Sequence, residues 1–155
     1  MYKHILCPID GSTTSNRGMT EAIRLAKDQK AKLGFLHVVD AFLPMPDAGG
    51  GVNLADILDS LRLWGEKVLK DAQAAARAQG IEADVEMAET IGGRASKFIV
   101  EQARKWPVDI IVMGTHGHRG ISHLLLGSDA EAVVRTSPVP VLLVKGAQEG
   151  MGGAT

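Results

Sequence analysis

Residues 108–128 read VDIIVMGTHGHRGISHLLLGS, and the fold follows from them. Val108 to Met113 is a nearly unbroken apolar run of strand length, the kind buried on both faces of a parallel sheet. A glycine-rich turn comes next, with Gly114, Gly117 and Gly127-Ser128 spaced as G-x2-G-x9-G-S. Ala130, Val133 and Val134 then recur at helical spacing. A buried strand, a glycine loop and a helix form one half of a strand–helix–strand crossover.

The same alternation runs through the rest of the chain. Tyr2 to Ile9 reads as a strand closed by Asp10-Gly11-Ser12, and Met19, Ala22, Ile23 and Ala26 form a helical face. Leu33 to Val39 is a second strand. Residues 41–53 hold Pro44, Pro46 and Gly49-Gly50-Gly51, a loop composition. Leu54, Ile57, Leu61, Trp64 and Val68 mark a helix running to about Gln79, with Gly80 at its carboxyl cap. Ala83, Val85 and Met87 alternate along a third strand. Ala95, Phe98, Ile99, Ala103 and Trp106 stripe a third helix. A last strand spans residues 139–144, from Val139 to Val144, entered through Pro138 and Pro140. Strands alternating with helices imply right-handed crossovers and an open parallel sheet with helices on both faces. In such sheets ligands bind beyond the carboxyl ends of the strands, where the winding reverses. Winding five strands in the usual way sets strands one and four side by side. The loops starting at Asp10 and Gly114 then flank the crevice.

Composition narrows the function classes. With 155 residues the chain suits one domain with a core of its own. Its 18 glycines exceed the usual level of about 7%, and they are clustered. A net charge of −1 gives no general attraction to nucleic acid or anionic membrane, and 4% aromatics supply no row of stacking platforms. No apolar run reaches the ~18 residues of a membrane span. Cys7, alone, forms neither an internal disulfide nor a cysteine zinc site, and inside a strand it reads as a small buried hydrophobe. The expected setting is cytoplasmic.

The glycine loop carries the chemistry. A phosphate needs backbone N–H groups converging on it, and side chains there would block its approach. Gly127-Ser128 precedes a helix whose N-terminus offers free donors and a partial positive charge. Plain turn chemistry explains the same glycines, and serine at a helix start is an ordinary N-cap. There is no GxxxxGK[ST] and no GxGxxG. Asp10 is placed to accept from ribose hydroxyls or hold Mg²⁺, and equally to close an Asx-turn.

Three segments together resemble the universal stress protein family: Pro8-Ile9-Asp10-Gly11-Ser12, the G-x2-G-x9-G-S loop, and Ser137-Pro138-Val139-Pro140-Val141. The resemblance covers about residues 2–145. It implies an α/β fold: an open, doubly wound, Rossmann-like parallel sheet of five strands, order 3-2-1-4-5, with helices on both faces. Residues 1–145 would form the single nucleotide-binding domain and 146–155 a flexible tail. The family divides into ATP-binding and nucleotide-free members, and the complete glycine motif implies the first.

The site residues implied are Pro8, Ile9, Asp10, Val39, Met113, Gly114, His116, Gly117, His118, Gly127, Ser128 and Asp129. Asp10 meets the ribose or Mg²⁺. Ile9 and Val39 flank the adenine, with Val39 lending backbone groups to its edge, and Met113 packs beneath the base or sugar. Gly114, Gly117, Gly127 and Ser128 hold the phosphates, with His116 and His118 along their path. Asp129 is expected to point to water from the first helical turn, with Mg²⁺ bridging or a preference for fewer phosphates as the alternatives. The resemblance further implies ATP (or ADP or AMP) with Mg²⁺, a homodimer through the last strand, and a stress-response sensor or switch. The alternatives are a nucleotide-free interaction module and a slow ATPase. Loop 41–53 is a candidate lid. A histidine metal site (His116, His118, His123) matches no familiar zinc spacing, and neither HExxH nor GxSxG occurs.

Overall fold

Among the described residues nine elements alternate strictly. They are β1 (His4–Pro8), α1 (Thr13–Gln29), β2 (Lys32–Asp40), α2 (Leu54–Ala78), β3 (Ala83–Thr90), α3 (Ala95–Lys105), β4 (Ile110–Gly114), α4 (Ser128–Thr136) and β5 (Val141–Val144). The structure is a computed structural model that describes residues 1–41, 53–116 and 126–146. Residues 42–52, 117–125 and 147–155 therefore lie outside the described residues, and so do the expectations placed on them: the lid, Gly117 and His118, and the tail.

The five strands form one parallel sheet in the order β3-β2-β1-β4-β5, as the resemblance implies. One core cluster joins Ile5 and Cys7 of β1 and Val112 of β4 to α1 and α2. The other joins Leu6, Ile111 and Met113 to Ile99 of α3 and Val133 of α4. Successive side chains of a strand point to opposite faces, so the central strands must be apolar at every position. Each fully buried side chain such as Phe35, Leu6 or Ile111 contributes roughly 1.5–3 kcal/mol. Cys7 lies in this layer, and burial pushes its thiol pKa up, so it is an unreactive core atom.

Close approach requires glycine at two contacts that matter for the crevice. A Cβ on Gly114 would lie 2.8 Å from the Thr14 carbonyl oxygen, and one on Gly18 3.0 Å from Gly114 N. This pair lets α1 press onto the end of β4.

Two expectations shift. The amino-terminal half of α2 does not pack into the core: Leu54 is 37% and Trp64 44% exposed, and the buried face begins at Gly65 and Val68. The last strand pairs only from Val141, because Pro140 has no N–H to donate, although its carbonyl accepts from Ile111 N at 3.0 Å.

Candidate functional site

A crevice opens where β1 and β4 part. Their recorded pairs are Ile5–Ile110 and Leu6–Ile111, while both strands continue, to Pro8 and Gly114. After β1 the chain turns into α1 on one face, and after β4 it turns into α4 on the other. Between them lies a cavity of about 570 Å³, within the usual range for small-molecule sites.

The β1 side is a rigid turn. Asp10 Oδ1 accepts from Ser12 N at 2.9 Å, closing an Asx-turn in which Gly11 takes φ +82°. Ser12 caps α1 by accepting from Ser15 N at 3.2 Å, and the buried Ser15 hydroxyl accepts from Asp10 N at 3.0 Å. Both readings of Asp10 are thus compatible: one carboxylate oxygen closes the turn while the residue lines the cavity.

The β4 side is a loop pinned at its ends. Gly127 N donates to Thr115 O at 2.7 Å, and Thr115 N donates to Val144 O at 3.0 Å. A Cβ on Gly127 would lie 2.9 Å from that same Thr115 oxygen. Gly114 and Gly127 are therefore required by contacts within the protein itself. Gly127, not Ser128, is the N-cap of α4, and no side chain among the described residues caps the helix. Ser128 is its first residue, and the uncapped first turn lines the cavity with its N–H donors. Asp129 is an exposed residue of that turn, as dipole complementarity favours, and it also lines the cavity. His116 Nδ1 lies 3.0 Å from Thr115 Oγ1.

The floor comes from β2, which outruns β1. Ile9 N donates to Leu36 O at 2.8 Å, whereas Ala41 N donates to Thr90 O at 3.0 Å. Peptide groups of a parallel strand alternate between its two neighbours. Even-numbered residues of β2 therefore face the β1 side, which is open beyond Ile9, and odd-numbered residues face β3. The backbone groups turned to the crevice are those of Val38. Val39, given that role from the sequence, contributes a buried side chain to the wall instead. His37 is buried with Nδ1 2.8 Å from the Ile9 carbonyl oxygen. A carbonyl only accepts, so Nδ1 carries a proton and steadies the β1 end. Asp40 Oδ1 is buried and has no hydrogen-bond partner among the described residues.

Ten of the sequence-derived residues thus meet around one cavity: Pro8, Ile9, Asp10, Val39, Met113, Gly114, His116, Gly127, Ser128 and Asp129. Gly117 and His118 lie outside the described residues. Sequence reasoning missed Val38, His37, Asp40, Trp64 and Arg94. His37 and Asp40 left a signal, as polar residues in the otherwise apolar run LHVVD. Trp64 read only as one of the apolar positions that mark a helix, and Arg94 left no signal. Among the described residues no group of three or more His, Cys, Asp or Glu could hold a metal ion, and no helix is long and apolar enough to cross a membrane.

Comparison with known proteins agrees with this architecture. The model of the universal stress protein family matches residues 1–145. A universal stress protein of Methanocaldococcus jannaschii is 37% identical over 147 residues, which covers 94% of this chain and 83% of the relative. The universal stress protein UspA from Lactobacillus plantarum superposes with a TM-score of 0.77 at 25% identity, covering 92% of this chain and 97% of that one. A universal stress protein solved in complex with cAMP superposes with a TM-score of 0.64 at 28% identity, covering 94% of this chain and 99% of that one. The chain therefore belongs to the universal stress protein family.

Proposed function

We propose that the crevice binds an adenine nucleotide, ATP with Mg²⁺ being the form the full motif suits, and that the protein acts as a nucleotide-responsive sensor or switch. The observation that carries this reading is the cavity of about 570 Å³ bounded by Asp10 on one side and the start of α4 on the other. The base lies toward Val38, whose peptide N–H and C=O suit the edge of adenine, with Ile9 and Val39 as apolar walls. Asp10 accepts from the ribose. The phosphates extend to the N-terminus of α4, where backbone donors, the Ser128 hydroxyl and the helix dipole meet negative charge. The cAMP complex of a relative supports an adenine ligand in this fold.

Mg²⁺ fits as a phosphate-borne ion. Magnesium is commonly held by one or two carboxylates plus substrate phosphates, with several waters kept. Asp10 and Asp129 are the carboxylates at the two sides of the cavity that suit this. When bound, the ion neutralises phosphate charge that Asp129 would otherwise repel.

The edge strand β5, with Leu142 38% exposed, suits pairing with a second copy of the chain. The decisive experiment is to purify the protein, denature it and identify released small molecules by mass spectrometry, with titration of ATP, ADP and AMP into the emptied protein. A co-purified adenine nucleotide supports the reading. An empty protein that also binds none of the three overturns it in favour of a nucleotide-free interaction module.

A further inference from the structure

The two tryptophans have opposite surroundings. Trp106 fills space beside Gly34, where a Cβ would collide with its ring, and packs against the core. Trp64 is 44% exposed although it carries the largest apolar side chain, and core packing does not account for its place. Its ring is nevertheless held. Nε1–H donates to the Asp10 carbonyl oxygen at 3.4 Å. The ring also lies on Gly11, where a Cβ would stand 2.8 Å from Cζ2. It borders the main cavity on one side and a second hollow of about 370 Å³ between α1 and α2 on the other, so it forms a partition.

We infer that Trp64 is the platform on which the planar base of the ligand stacks. It would make this site selective for base-bearing ligands over a bare sugar phosphate. The inference rests on the nucleotide reading of the crevice and adds a specificity-determining residue to it. An aromatic ring held by a hydrogen bond and by packing has little rotamer freedom left to lose, and this one lines the same cavity as the apolar Ile9 and Val39. Trp64 stands beside Asp10, the ribose acceptor of the proposed pose, and one helical turn from Leu61, which lines the same wall.

The test compares AMP with ribose 5-phosphate, which keeps the sugar and phosphate and lacks the base. In wild-type protein AMP should quench tryptophan fluorescence. Trp64→Phe should still bind AMP, measured by calorimetry, with the quench gone. Trp64→Ala should bind AMP about tenfold to hundredfold more weakly, the range of one lost base–aromatic stack, with ribose 5-phosphate affinity within about twofold of wild type. An equal loss for both ligands would show that Trp64 only steadies the Asp10–Gly11 turn and would overturn the inference. So would unchanged AMP binding by Trp64→Ala, or a quench that persists in Trp64→Phe. Failure of wild-type protein to bind AMP, ADP or ATP at all would instead overturn the nucleotide reading, and this inference with it.

Discussion

At the amino end of the sheet, Asp109 Oδ2 accepts from Lys3 N at 2.6 Å and His4 N at 2.9 Å, and Asp109 N donates to His4 O at 2.9 Å. Lys32 N donates to Lys3 O at 2.8 Å. The strand starts are tied to one another by the protein's own groups. At the carboxyl end the polar groups are arranged otherwise. Asp40 Oδ1 is buried without a partner among the described residues, α4 begins with no side-chain cap, and half of a tryptophan is exposed. Buried polar groups are normally satisfied, because leaving one unpaired costs about 1–3 kcal/mol. One end of this sheet is tied together by the protein's own groups, and the other borders the cavity proposed to take the nucleotide.

The largest effects should come from substitutions that close the open end. Asp10→Asn keeps an oxygen for the Ser12 N–H but loses the negative charge. Nucleotide binding should weaken by at least about tenfold, measured by calorimetry, with the melting temperature little changed. Equal affinity would remove Asp10 from the ligand and weaken the contrast between the ends. Gly114→Ala should destabilise by about 1–3 kcal/mol, because its new Cβ meets the Thr14 carbonyl. At roughly 2–4 °C per kcal/mol, thermal unfolding would show it clearly. An unchanged melting temperature would mean that α1 does not press on β4, leaving the ligand as the reason for this glycine.

Ser12→Ala should cost about 1 kcal/mol through the lost α1 cap and lower affinity less than Asp10→Asn does. The smallest effect belongs to the closed end. The Lys3 and His4 peptide donors hold the Asp109 carboxyl below the usual carboxylate range. A depressed folded-state pKa contributes stability above the unfolded value, and that contribution is lost as pH falls through the folded value. The wild-type melting temperature should therefore fall more steeply below about pH 4 than that of Asp109→Asn. Parallel acid profiles would show that Asp109 does not tie the strand starts together.

Legibility in the sequence differed between fold and site for a physical reason. The strands at the centre of a parallel sheet are apolar on both faces, so Ile110 to Met113 announced itself, and helical stripes marked α1 and α3. The glycines at 114 and 127 drew the eye to the right loop, yet the structure gives them a second cause, since the backbones of Thr14 and Thr115 occupy the space of a Cβ. Trp64 and Leu61 fit a helical stripe, and no periodicity tells a core face from a cavity wall. The peptide alternation of β2, which turns Val38 to the crevice, depends on where β1 stops.

The sequence by itself therefore determined the element order, the parallel sheet, the family and the two loops that meet at its carboxyl end, because these depend on local periodicity and on turn chemistry read within a few residues. Only the tertiary structure decided which groups face the cavity. It turned the Val38 peptide to the crevice, fixed Trp64 against Gly11, left Asp40 Oδ1 without a partner among the described residues and tied Gly127 to Thr115. Those facts depend on the register between strands and on how far one element outruns the next, distances that no single stretch of chain encodes.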